Sequence, residues 1–184
     1  GSLNMKYLLI VALAIMFVST YAKSDHVYDW ASHENSKELY TALRDETDLI
    51  FVLFWFKGDD SNEDLKKQNT EIRDKIKGDV LENHPEIVFS EIDLAADGKE
   101  DAYKNILVDI MQIDTVKLDN GPIISVINNG EGAWIHGDGT GKEVSESVDI
   151  FIHEAKDRKM GGTGYVYGSD KARKDGSVKV GGRR

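Results

Sequence analysis

The sequence predicts an α/β protein with a mixed central sheet flanked by helices. An unbroken apolar run over 49–56, LIFVLFWF, is typical of a central strand covered on both faces. A second apolar segment over 86–94 alternates with segments of helical period, as in βαβ units. Asn129-Gly130 between two later apolar segments predicts a tight hairpin.

Local signals predict the elements of the first half. A short edge strand is expected over 26–30. A capping box beginning at Asn35 starts a helix that runs to about Glu46. After the central strand, Ser61 is expected to cap the next helix, because an acid follows three residues later. His84-Pro85 should end that helix.

The second half continues the alternation. The pattern predicts a strand over 86–94, a helix over 101–113, and a hairpin of strands over 123–127 and 133–136. The last helix is predicted from apolar residues at helical spacing, namely Val144, Val148, Phe151, Ile152 and Ala155. The full order is therefore β-α-β-α-β-α-β-β-α.

Composition and charge limit the function classes. The chain has 184 residues, 40% of them hydrophobic, which is enough for one domain with a real core. The formal net charge of −10 argues against a nucleic-acid partner. The charge is uneven: residues 23–155 carry 30 acidic and 13 basic side chains, whereas 156–184 carry nine basic and three acidic ones.

The N-terminus has the pattern of a secretory signal peptide. Residues 1–4 precede a plausible initiator Met5, Lys6 supplies a positive charge, residues 8–18 are apolar, and 20–22 end in a small-x-small site. The apolar run is shorter than the roughly 20 residues of a spanning helix, which favours cleavage over an uncleaved anchor. We expect the secretory pathway, either the endoplasmic reticulum lumen or outside the cell, with no membrane attachment after cleavage.

The predicted domains are a leader with signal peptide over 1–22, a globular domain over 23–159 and a tail over 160–184. The tail is rich in glycine and basic residues and poor in apolar ones, so we expect it to be flexible or disordered. Two roles stay open for the tail. It is a solvated linker, or it docks onto the acidic surface of its own domain or of a neighbouring subunit, so that an oligomer is possible.

The chain contains no cysteine. Disulfide bonds, thiolate metal sites and thiol nucleophiles are therefore all excluded for this chain.

Two blocks of sequence resemble one family. Phe54-Trp55 lies where thioredoxins and protein disulfide isomerase domains have the strand that leads into their active-site loop. The segment from Gly121-Pro122 to Glu131, GPIISVINNGE, resembles the cis-proline strand and hairpin of that family. The order and spacing of the two blocks match, and the resemblance covers residues 27–158. It implies a thioredoxin-like fold.

The chain departs from that family at its redox centre. The alignment places Asp59 and Asn62 where the family has the two cysteines of Cys-x-x-Cys, and Leu53 near its buried acid. Thiol–disulfide exchange by a mixed disulfide is then impossible. The chain is similar to the redox-inactive thioredoxin-like proteins of the secretory pathway, which bind unfolded chains, act as chaperones or scaffold complexes. We therefore expect a binding protein rather than an enzyme.

The resemblance implies one surface for a protein or peptide partner. If the bond before the proline is cis, the strand edge beside the loop is open to an extended peptide; otherwise the proline only shapes a turn. No catalytic residue, metal ion or cofactor is expected. The predicted binding residues are Trp55, Lys57, Gly58, Asp59, Asp60, Ser61 and Asn62 from the loop, with Gly121 and Pro122 opposite.

Two other functions stay open. Asp59, Asp60, Glu63 and Asp64 at a helix N-terminus either stabilise the helix dipole or bind calcium weakly, as in acidic proteins of the calsequestrin type. A residual redox role would have to use a partner's cysteines. The histidines show no metal-ligand spacing and are expected at the surface or at caps: His26, His33, His84, His136 and His153.

Overall fold

A computed structural model describes residues 36–45, 49–58, 60–96, 98–159 and 177–179. The helices are α1 (Ser36–Asp45), α2 (Glu63–Lys75), α3 (Lys99–Lys104) and α4 (Gly141–Lys159). The strands are β1 (Ile50–Phe56), β2 (Val88–Asp93), β3 (Ile123–Asn128), β4 (Glu131–His136) and the short β5 (Ser177–Lys179).

The strands form one mixed sheet in the order β2-β1-β3-β4-β5. The β1–β2 pair is parallel, whereas the β1–β3, β3–β4 and β4–β5 pairs are antiparallel. The prediction of an α/β protein with a mixed sheet is confirmed. The order of the first four strands is compatible with a thioredoxin-like layout.

Strand β1 is the centre of the core, as its apolar run predicts. Because side chains alternate along a strand, Phe51 and Leu53 face one side while Val52 and Phe54 face the other. Helices α1 and α3 cover the first side, and α2 and α4 cover the second. Both faces of β1 are therefore buried.

The predicted hairpin is confirmed. Asn128 pairs with Glu131, which leaves Asn129 and Gly130 as a two-residue turn. Their φ angles are 53° and 75°. Positive φ at both positions is the signature of a type I′ turn, which Asn-Gly favours.

Helix boundaries differ from the prediction at two places. Asn62, not Ser61, caps α2, because its side-chain oxygen accepts the Leu65 amide at 3.1 Å. The predicted helix over 101–113 begins earlier, as α3, and continues as a π-helical segment, Asn105–Ile110. Helix α2 continues through irregular turns to His84, which confirms the predicted stop before the proline.

The two ends of the chain are described only in part. Strand β5 pairs with β4 at residues 131–133, so three residues of the predicted flexible tail lie against the domain. The rest of the tail, the predicted signal peptide and the predicted strand over 26–30 lie outside the described residues. Within the described ranges, none of the helices combines the length and the apolar character needed to cross a membrane.

Candidate functional site

Three connections meet at the carboxyl end of β1. They are the loop after β1, the turn that leads into β3, and the loop after β4. Between them lies a groove of about 370 Å³, called here the loop groove. It is lined by Asn62, Asp64, Leu65, Gln68, Asp119, Asn120 and Asp138. The carboxyl ends of strands in α/β proteins are common places for ligands.

The loop after β1 is anchored to the neighbouring strand. The Gly58 amide donates to Asp93 Oδ1 at 2.8 Å, and the Ala95 amide donates to the same oxygen at 2.9 Å. A Cβ at position 58 would lie 2.5 Å from Asp93 Oδ2. A larger residue at this position would displace the Asp93 carboxylate that holds the loop.

Lys57 joins that loop to the turn before β3. Its ammonium group lies 2.8 Å from Asp119 Oδ1, and the Lys57 side chain is 25% exposed. Behind it, Asn69 Nδ2 donates to the Lys57 carbonyl at 3.3 Å. These contacts hold two walls of the loop groove at a set distance.

Helix α2 holds the third wall. Gln68 Nε2 donates to the carbonyls of Gly137 and Gly139 at 2.9 and 2.7 Å. Glu71 Oε1 accepts the Gly141 amide at 3.2 Å. Two side chains of α2, Gln68 and Glu71, thus hold the loop after β4.

The peptide bond before Pro122 is trans, so the alternative in which a cis bond opens the strand edge is not observed. None of the peptide bonds among the described residues is cis. The chain turns instead at Gly121, whose φ is 151° and whose missing Cβ leaves room for the Gly137 carbonyl. The Gly137 amide then donates to the Pro122 carbonyl at 2.7 Å, which extends the β3–β4 pairing. Gly121 and Pro122 are both buried, and neither is among the residues that line the loop groove.

Trp55 is also in the core, so the prediction that it lines the binding surface is wrong. Its side chain is fully buried and its ring packs edge-on against Tyr103. The indole N–H donates to Ser125 Oγ at 3.1 Å. Alternation along β1 directs this ring toward α3, away from the groove.

The remaining predicted residues divide by exposure. Gly58, Asp60 and Ser61 are exposed, while Asn62 is half-buried and lines the loop groove as the α2 cap. Asp59 lies outside the described residues. The Lys57–Asp119 ion pair places the loop after β1 beside the turn before β3, which is the arrangement that the resemblance implies.

The loop groove carries negative charge. Asp64, Asp119 and Asp138 contribute carboxylates to its lining, and Lys57 is the cation beside them. Asp138 also lies 3.2 Å from His136 Nδ1, while His136 Nε2 donates to the Lys117 carbonyl at 2.8 Å. This arrangement suits a positively charged ligand and offers amide groups for hydrogen bonds.

A second polar cluster lies at the opposite end of the sheet, where β2 begins. His84 Nε2 is 2.6 Å from Asp149 Oδ1, and His84 Nδ1 is 2.6 Å from the Lys156 ammonium. Lys156 also pairs with Glu86. Burial alone would raise the pKa of the Glu86 carboxyl, but hydrogen bonds from Lys156 and the Glu86 backbone, with the charges of Lys156 and His84, lower it.

The spacing of the histidines in the sequence did not predict this cluster. His84 is only 4% exposed and His136 8%, so neither is a surface residue, although His84 does cap a helical turn as expected. Only Asp149 and His153, four residues apart on a helix, gave a local signal. Within the described part of the chain, His84, Asp149 and His153 are the acids and histidines that converge enough to hold a metal ion, with ligand atoms within 4.8 Å.

Comparison with models of known protein families gives no match, and comparison with curated proteins gives none either. The thioredoxin-like assignment therefore depends on the two sequence blocks and on the compatible strand order.

Proposed function

We propose that the protein is a redox-inactive, thioredoxin-like protein of the secretory pathway that binds segments of other proteins non-covalently at the loop groove. A chaperone-like or assembly role follows from such binding. The observation that carries the proposal is the groove itself, an open polar cleft held between three braced connections.

The charges of the groove indicate the kind of segment. Asp64 is exposed and makes no ion pair among the described residues, and Asp138 is 68% exposed. Both carboxylates are available to Lys or Arg side chains of a partner. Asn120, which is exposed, adds an amide group that suits the backbone of an extended chain. A basic, unfolded segment is therefore the expected ligand.

Peptide binding tests this proposal. Fluorescence anisotropy would compare basic and acidic decapeptides of matched apolar content on the full chain. We expect basic peptides to bind more tightly, with affinity falling as salt is added. The double variant Asp64→Asn/Asp138→Asn should lose about tenfold in affinity, since two exposed ion pairs together are worth roughly 1–2 kcal/mol.

The matched control is Asp74→Asn/Asp157→Asn, which removes the same charge from exposed sites outside the groove lining. It should bind as the parent does at moderate salt. Equal losses in both double variants would assign binding to overall charge and contradict the proposal. So would equal binding of acidic and basic peptides.

Calcium titration distinguishes peptide binding from the alternative function, that of an acidic calcium-binding structural protein. Around the loop groove, the described carboxylates do not converge as a group of three within 4.8 Å. A calcium-buffering protein would release heat at several weak sites and become more compact. We expect the peptide affinity to be unchanged by calcium.

A further inference from the structure

We propose that His84, Asp149 and His153 form a binding site for a divalent transition-metal ion of the zinc class, and that Lys156 opposes its occupation. The site lies at the other end of the sheet from the loop groove and is independent of the proposed peptide binding. Its three side chains come from the turn before β2 and from one face of α4.

The geometry is close to that of a bound ion. Two ligands on a tetrahedral zinc ion, each about 2.0–2.1 Å from the metal, are about 3.3 Å apart. The distance from Asp149 Oδ1 to His84 Nε2 is 2.6 Å, and that to His153 Nδ1 is 3.9 Å. His153 Nδ1 also donates to the Asp149 carbonyl at 3.0 Å, so this ring must give up that hydrogen bond and carry its proton on Nε2 when Nδ1 binds a metal ion.

The ligand types select the class of metal. Two imidazoles and one carboxylate suit zinc and its neighbours, whereas calcium and magnesium prefer oxygen ligands throughout. His84 is buried and therefore held in place, while the side chains of Asp149 and His153 are 44% and 62% exposed. The open side of the site faces solvent, so water can complete the coordination.

Lys156 sets the tautomer of His84. An ammonium group only donates, so His84 Nδ1 accepts from Lys156, and Nε2 carries the proton and donates to Asp149. A metal ion bound at Nε2 takes the lone pair of that nitrogen, so Nε2 can no longer carry the proton. The neutral ring must then carry its proton on Nδ1. That N–H would face the ammonium group, so Lys156 must leave His84 and stay on Glu86, with which it already pairs.

Zinc titration of the full chain, after removal of metal with a chelator, tests the site. Calorimetry should show one equivalent of Zn²⁺ bound. Asp149→Asn and His153→Gln should each lower the affinity about tenfold or more, the scale seen when the surroundings of a metal site are damaged. Asp157→Asn, an exposed acid on the same helix, is the matched control and should leave the affinity unchanged.

The variant Lys156→Gln gives a second readout that mere misfolding cannot imitate. The glutamine Oε1 can accept a hydrogen bond from the Nδ1–H of His84, so the zinc affinity should rise severalfold. Nitrogen spectra of His84 should change from the Nε2–H to the Nδ1–H form as zinc is added. Absence of zinc uptake, equal affinity in Asp149→Asn and Asp157→Asn, or weaker binding by Lys156→Gln would each overturn the proposal.

Discussion

The two ends of the sheet use polar residues in opposite ways. At the loop groove, amides and one lysine brace the backbone, and carboxylates are left facing solvent. At the other end, a buried histidine is enclosed by an acid and a lysine that use both of its nitrogens. The first arrangement is ready for a ligand, whereas the second must rearrange before it can accept one.

Burial explains this difference. A buried polar group that lacks a partner costs free energy, so His84 at 4% exposure must have its partners within the fold. The exposed carboxylates of the groove are solvated and need none. Binding at the groove therefore replaces water, whereas binding at the histidine cluster replaces an existing internal partner.

The largest expected effect comes from Gly121→Ala, which should disrupt the groove. An added Cβ would overlap the Gly137 carbonyl, and a φ of 151° is unfavourable for alanine. We expect a loss of about 3 kcal/mol in the free energy of unfolding, measured by denaturant titration.

Gly78→Ala is the matched control for that variant. Nothing lies within 4 Å of an added Cβ at this helical position. Stability should be unchanged or should rise by up to about 1 kcal/mol. A comparable loss in both variants would show that the contact with the Gly137 carbonyl does not control stability.

His84→Ala tests the histidine cluster. It should lower the free energy of unfolding by about 1–3 kcal/mol when measured in the presence of a chelator. The substitution removes a buried ring and leaves Asp149 without its hydrogen-bond donor. His153→Ala, at an exposed position, should change stability by less than about 0.5 kcal/mol. Basic peptides should bind both variants as they bind the parent, and weaker binding would mean that the two ends are coupled.

Local patterns in the sequence predicted most of the fold but less of the two polar regions. The unbroken run of β1, the Asn129-Gly130 turn and the period of α4 are local signals, and the structure confirms all three. An unbroken apolar run does not indicate which residues reach the surface, which explains the error at Trp55. The close approach of Gly121 to the Gly137 carbonyl joins residues 16 positions apart, which no local pattern indicates.

The histidine cluster was beyond sequence reasoning for a related cause. His84 and Asp149 are 65 residues apart, and their contact depends on how α4 packs across the sheet. Periodicity can place a residue on a helix face. It cannot show which residue of another element lies opposite that face.

Gln68→Glu should have an intermediate effect on the groove. A carboxylate at this position cannot donate to the carbonyls of Gly137 and Gly139, so two part-buried hydrogen bonds are lost. We expect a loss of about 1–2 kcal/mol in unfolding free energy, measured by denaturant titration. Asn83→Asp, which removes one exposed hydrogen bond to the Asp79 carbonyl, should cost less and leave binding unchanged. Equal costs would indicate that the loop after β4 does not depend on Gln68.

Lys57→Met should have only a small effect on stability, and it tests whether the loop groove, like the histidine cluster, contains an internal cation that competes with a ligand. The ion pair with Asp119 is partly exposed and contributes less than about 1 kcal/mol. Its removal leaves the Asp119 carboxylate open to a partner, so basic peptides should bind more tightly in anisotropy titrations at low salt. Lys75→Met, which breaks the exposed pair with Asp79, is the charge-matched control and should not raise the affinity. An increase in both variants would indicate a general charge effect. An increase confined to Lys57→Met would show that an internal cation competes with the ligand at the groove, as Lys156 does at the histidine cluster.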